Sequence, residues 1–433
     1  MAVISGQLRS RYSDPEAVLE HIRPGTSLIV PLAAGEPVAL LDVIETAAAD
    51  GQLSGVRVHQ MHAAKDRGYM DGRYGDDLRH VSYFLSAATR KHFAEGTIDL
   101  VPNHFSHVAS LLQITCPDTL IIAQASTPDR HGYFSLGTNA DYVASFIGRG
   151  RFFLEVNANM PQTFGRNQLH ITQVEGWCRN DSPLTTIENV EPSPVDHLIA
   201  GHIAPMIPNG STLQVGIGGT PNALLAALRD HEDLGIHSEL ISDGIVGLID
   251  SGVANGVRKK LGRTKAVGTF ALGTEDVYEF IDENPAVEFW PANYVNNPFT
   301  IAGEPGFISI NATIAVDLLG QCASETMNGA YWSSSGGQAD FAQGAMLSDG
   351  GKAFIVVPST AKSGTISRIV PTLPQGSVVT TTKNTVDHIV TEFGVARLRG
   401  RTVNERARML IELAHPDHRD FLADEAVRLG YTR

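Results

Sequence analysis

Short apolar runs alternate with segments of helical period along this chain, and no other feature narrows its fold as far. "TSLIVP" is followed by "EPVALLDVIETAAADG" and then "GVRVHQM"; later "STLQVG" precedes "PNALLAALRDHEDLG", "IHSELIS" and "GIVGLIDSG". Strand, helix, strand, helix is the pattern of a mostly parallel α/β sheet. The chain has 433 residues, more than one core of ordinary size holds, so two domains are expected. "DSPLTTIENVEPSPVDH", rich in Pro, Ser and Thr with little apolar periodicity, reads as the linker, giving domains 1–190 and 191–433. The two halves also repeat. "GTSLIVPLAAGEPVALL" from Gly25 and "GSTLQVGIGGTPNALL" from Gly210 each give a polar turn, a strand, a small-residue loop, a Pro and a helix. The expectation is two similar open α/β domains facing across a cleft.

Charge and cysteines narrow the partners. Asp and Glu number 47 against 33 Lys and Arg, a net charge of −14, which argues against nucleic acid or an anionic membrane as partner. Cys116, Cys178 and Cys322 are few, distant and odd in number, as in a reduced cytoplasm. The opening "MAVISGQLRSRYSDPEAVLEHI" lacks the apolar core of a signal peptide, and no apolar run reaches membrane-span length. A soluble, cytoplasmic protein is expected.

Four segments could carry chemistry. In "QVGIGGTPNALL", Gly216, Gly218 and Gly219 follow a strand and precede a helix that Pro221 suits at its first turn. Such a turn lets backbone approach a ligand and offers helix-terminal N–H groups to an anion or oxyanion; it also serves simply as a tight turn. In "HSELISDGIVGLIDSG", positions 236–241 read as a strand, with Ser242 or Asp243 capping the next helix. Glu239 then lies near the carboxyl end of a strand, the edge where α/β sheets bind ligands. A paired or solvated surface carboxylate fits the same pattern. So does the acidic ribose ligand of a dinucleotide fold, though Pro221 stands where G-x-G-x-x-G needs its third glycine. In "YWSSSGGQADFAQGA", Ser333 to Gly337 form a small-residue loop ahead of a helix containing Asp340 and Phe341, with Trp332 and Phe341 implying order. In "VVPSTAKSGTISRIVP", hydroxyls, Lys362 and Arg368 suit phosphates. His59 and His62 fall on a strand at a spacing that points them to opposite faces. No Cys or carboxylate cluster joins them or the His104–His107 pair, and no metal site is expected.

Taken together these segments resemble the acetyl-CoA hydrolase/4-hydroxybutyrate CoA-transferase family, within the class I CoA-transferases. The resemblance runs through "TPDRHGYFSLG", "LEVNANMPQTFG", "QVGIGGTPNALL", "HSELISDGIVGLIDSG", "YVNNP", "GGQADFAQGA", "SGTISRIVP", "IVTEFGVARLRG" and "NERARMLIELAHP". It implies a pair of open α/β domains with an active-site cleft, and Glu239 as the catalytic residue. The family's oxyanion and CoA-binding positions fall on Gly216, Ile217, Gly218, Gly219, Thr220, Gly337, Lys362 and Ile314. Asn296 of "YVNNP" takes the place of the residue orienting the carboxylates.

The implied partners are an acyl-CoA and a short-chain carboxylic acid, with CoA as substrate, no tightly bound cofactor, and a homodimer. A nucleophilic Glu should be ionised at neutral pH, so Glu239 is expected at the wet mouth of the cleft. The first-half loop "PLAAGEP" carries alanines where relatives show more Gly or Ser, and "HSEL" and "TEFG" replace the family's "HTEM" and "TEYG". An acyl-CoA hydrolase using the same glutamate, and an acyl-CoA-binding protein without catalysis, are the competing readings.

Overall fold

In the computed structural model, residues 11–433 are described; residues 1–10, half of the opening segment read above as no signal peptide, lie outside them. The chain forms two compact units. One comprises the residues through Glu188 together with Val267–Val295, the other Asn189–Ala266 together with Asn296–Arg433. The division expected at 190/191 is a single cut; here residues 267–295 return to the first unit. Backbone pairing is the reason: Ala140 N–H donates to Thr269 O (2.8 Å), Ala271 N–H to Thr138 O (2.7 Å), and Glu288 pairs with Phe164 in parallel register.

The first unit is built on seven strands: β1 (Ser27–Val30), β2 (Val56–Met61), β3 (Leu78–Phe84), β4 (Asp99–Leu100), β5 (Thr119–Ala125), β6 (Phe152–Val156) and β7 (Gly176–Arg179). Their order is β7-β6-β5-β1-β2-β3-β4, every neighbouring pair parallel. A parallel sheet covered on both faces needs apolar side chains on both, and β1 is buried at all four positions. Leu28, Val30, Leu40, Ile44, Val58 and Ile122 meet in its core, with helix α1 (Val38–Ala49) supplying Leu40 and Ile44.

The second unit repeats the opening and then diverges. Its strands are β8 (Thr212–Val215), β9 (Gly235–Ile236), β10 (Phe307–Ala312), β11 (Lys352–Val356), β12 (His388–Thr391) and β13 (Gly394–Arg397). They run in the order β9-β8-β10-β11-β12-β13, parallel except for the β12–β13 hairpin. The linker segment has no regular structure until helix α2 (Pro194–Ile203), which a Ser193–Asp196 capping box starts. Two further helices, α3 (Gly219–Ala227) and α4 (Asp243–Asp250), follow β8 and the Glu239 segment, and α5 (Gln338–Leu347) precedes β11.

Each unit therefore opens on a central strand, a loop, a helix and a parallel neighbour, and later steps to the central strand's other side. The two loops differ. In the first unit the loop after β1 is filled by Glu36, whose buried carboxylate accepts from Gln60 Nε2 (2.9 Å), Ala64 N–H (3.2 Å) and Arg67 Nε (3.2 Å). In the second the loop after β8 carries glycines and a half-exposed Ile217.

Candidate active site

The strand expected over 236–241 is broken. β9 ends at Ile236, a second two-residue strand piece begins at Leu240, and Glu239 sits on a bend between them. Around the break the chain is held by His237 N–H donating to Leu213 O (3.0 Å) and Ser238 Oγ to Val215 O (3.3 Å). On the open side of the sheet Lys259, itself buried, donates from Nζ to Ile236 O (2.6 Å) and Lys265 O (2.7 Å). The bend turns a side chain that would lie against a sheet face toward the sheet's carboxyl edge.

Three of the expected residues meet there. Asn296, fully buried, donates from Nδ2 to Glu239 Oε2 (2.8 Å). Gly337, the N-cap of α5, lies against the same carboxylate: a Cβ on it would stand 2.0 Å from Glu239 Oε2 and 2.4 Å from Asn296 Nδ2. No side chain fits, so the close approach requires glycine. Glu239 is half-buried. Loss of water around its carboxylate pushes its pKa up to about 7; the Asn296 hydrogen bond opposes this and the nearby Asp340 carboxylate adds to it. The expectation of a fully ionised Glu239 at neutral pH is thereby corrected: near pH 7 it is poised between its two forms.

The remaining expected residues reach the same edge through their strands. β8 lies beside β9 in parallel, so the Gly216–Thr220 turn ends where the Glu239 segment begins. Gly218 caps α3 with φ +117°, a conformation side chains disfavour, and Asn222 N–H closes the first helical bond on Gly218 O (3.0 Å). The amides of Gly219 and Thr220 precede that bond and have no acceptor within the helix. Gly219 also allows close packing, since a Cβ there would stand 2.5 Å from Asp196 Oδ2. Thr220 Oγ1 donates to Asp196, and Ser193 Oγ donates to the same carboxylate (2.7 Å). Ile314, half-buried, follows β10, the other neighbour of β8. This is the sheet's topological switch point, the edge at which open α/β sheets take ligands. Lys362 stands exposed, in a left-handed conformation (φ 49°), at the tip of a hairpin after β11.

Sequence reasoning gave Asp340 no role, although it lies one helical turn past Gly337 and acts on Glu239. It also passed over Asp196, which anchors Thr220; the S-x-x-D spacing from Ser193 was the available signal. Ser242 is the N-cap of α4, but its side chain makes no cap bond. Among the described residues no three His, Cys, Asp or Glu side chains gather as a metal site, and no helix is long and apolar enough to cross a membrane.

Comparison with known proteins follows the same lines. Residues 5–199 match the acetyl-CoA hydrolase/transferase N-terminal domain and residues 273–426 its C-terminal domain. Glu239 and the Gly216–Thr220 turn fall between the two matches. The chain is 41% identical over 428 residues to succinyl-CoA:cyclohexane-1-carboxylate CoA transferase of Geobacter metallireducens, covering 98% of this chain and 97% of that one. It is 38% identical over 412 residues to 4-hydroxybutyrate coenzyme A transferase of Clostridium kluyveri, covering 95% and 96%. The crystal structure of RipA from Yersinia pestis superposes with a TM-score of 0.95 at 36% identity, covering 99% of both chains.

Proposed function

Because the chain belongs to the acetyl-CoA hydrolase/transferase family and is an enzyme of the CoA-transferase kind, we propose that it moves CoA from a short-chain acyl-CoA to a carboxylic acid through a glutamyl-CoA thioester on Glu239. Acetyl-, butyryl- and 4-hydroxybutyryl-CoA are the donors to test first. The observation that carries the reading is the contact of Glu239 with Asn296 and Gly337 at the sheet's carboxyl edge.

A Glu239 carboxylate oxygen attacks the thioester carbonyl. The tetrahedral adduct expels CoA thiolate and leaves an acyl-glutamyl anhydride. The thiolate attacks the glutamyl carbonyl, the first acid leaves as its carboxylate, and Glu239 holds CoA as a thioester. A second carboxylate attacks that thioester, and the steps run backwards to release a new acyl-CoA. No net proton is consumed, and the kinetics are ping-pong. Both tetrahedral adducts carry an oxyanion. The Gly219 and Thr220 amides and the Gly337 backbone are the proposed donors, with Gly216, Ile217 and Gly218 shaping their turn. Asn296 orients the carboxylates. Lys362 is assigned to a CoA phosphate and Ile314 to the wall of the CoA site, so that binding the distant nucleotide positions the thiol. No tightly bound cofactor is invoked. We assign this chemistry to a cytoplasmic homodimer; light scattering of the purified protein tests the dimer.

The family name also covers hydrolases, in which water attacks the glutamyl-CoA thioester. Incubation with acyl-CoA, with and without acetate, separates the two. A transferase forms a new acyl-CoA with acetate; thiol release at the same rate either way, with no new acyl-CoA, leaves hydrolysis. Borohydride reduction after acyl-CoA addition should change the mass of the Glu239 peptide, and not in Glu239→Ala. No change in either would leave a binding protein without catalysis.

A further inference from the structure

The first unit holds a cavity of about 580 Å³ that the chemistry at Glu239 does not use. Its walls include Tyr133, Ser145, Arg149, Arg166, Gln168 and Tyr294, and no Asp or Glu lines it. In a chain with 47 acidic and 33 basic residues, an acid-free wall bearing two guanidinium groups runs against the composition. Arg57, Arg67, Arg79, Arg179, Arg258 and Arg428 each meet a carboxylate. Among the described residues Arg149 and Arg166 meet none. Arg149 donates from Nε to Ser145 O (2.7 Å), which fixes the plane of its fork. Arg166 lies over the rings of Trp290 (4.3 Å) and Tyr294 (5.8 Å). Glu288, next but one to Trp290, accepts the indole N–H (2.9 Å).

We propose that this cavity binds a nucleotide, its phosphate between Arg149 and Arg166 and its base against Tyr133 or Tyr294. Guanidinium forks held in place suit phosphate oxygens, and a stacked arginine keeps its edge N–H groups for an anion. Aromatic walls with a few amides and hydroxyls are the usual surroundings of a bound base. The occupant is a free nucleotide acting apart from the CoA substrate, whose own phosphate is assigned to Lys362. The inference rests on none of the steps assigned to Glu239.

Equilibrium dialysis with ATP, read in parallel by tryptophan emission, tests it. Saturable binding is expected, with an emission change lost in Trp290→Phe. Arg149→Ala/Arg166→Ala should weaken binding at least tenfold. Arg166→Lys, which keeps the charge but loses the planar stack, should weaken it less and serves if the double variant fails to fold. If the double variant also raises KM for acyl-CoA tenfold at unchanged kcat, the cavity is no separate nucleotide site and the proposal is overturned. If KM stays fixed while ATP binding falls, it is a free nucleotide. The proposal is overturned if the arginine variants bind the probe as tightly as the parent protein. It is overturned equally if Lys362→Ala alone abolishes binding, or if inorganic phosphate binds as tightly as the nucleotide.

Discussion

Gly337 leaves no room for a side chain, because the Glu239 carboxylate and the Asn296 amide occupy the space a Cβ needs. Gly337→Ala should therefore cost at least the about 10²–10³-fold in kcat that follows loss of an oxyanion donor, with the fold intact by circular dichroism. Glu239 itself gives a pH signature. In the proposed mechanism attack needs the carboxylate, whose pKa is pushed up to about 7, so kcat/KM for acyl-CoA should fall tenfold per unit as pH drops below about 7. Two variants should move this limb in opposite directions. Asn296→Ala removes the hydrogen bond that favours the ionised form and should shift the limb to higher pH; Asp340→Asn removes a like charge and should shift it lower. Stability has the same origin. The folded state holds the Glu239 proton up to about 7, whereas the unfolded chain releases it near 4.5, so the site's contribution to stability falls as pH rises through that window. Glu239→Gln should thus melt higher than the parent above pH 7 and level with it below about 4.5; a gain independent of pH would contradict the desolvated carboxylate.

At the level of elements, the glycine-rich turn and helix α3 were legible because their signals are local. Strand, small residues, Pro and an apolar helical stripe need no long-range information. Gly218→Ala tests how far the turn depends on its conformation. With φ +117° but open space around a Cβ, the cost is backbone strain alone, about 1–3 kcal/mol, read by urea unfolding. The break in the strand at Glu239 was not legible. Its residues read as one short apolar run, and what interrupts them are bonds to other segments: Ser238 to Val215, and Lys259 reaching Ile236 from 23 residues away. The capping box at Ser193 was legible and passed over, because the segment around it reads as linker. Ser193→Ala should cost about 0.5–2 kcal/mol of stability by the same measurement.

For the whole molecule, the partner to look for is the thioester substrate. CoA should raise the melting temperature in proportion to ln(1 + [CoA]/Kd), whereas NAD or NADP should leave it unchanged; a shift with the dinucleotides would revive the reading that Pro221 weakened. The sequence by itself determined that this chain is α/β, that its halves open alike, and which family it belongs to. Those properties live in periodicity, in turn chemistry and in ordered motifs, all of which are local. Only the tertiary structure decided that residues 267–295 return to the first unit, that Glu239 sits on a bend, and that its carboxylate loses water enough to hold a proton near neutrality. It alone showed that the first-half loop is filled by Glu36 while its counterpart after β8 stays glycine-lined. These follow from backbone pairing and desolvation between segments far apart in the chain, and no window of sequence contains both partners.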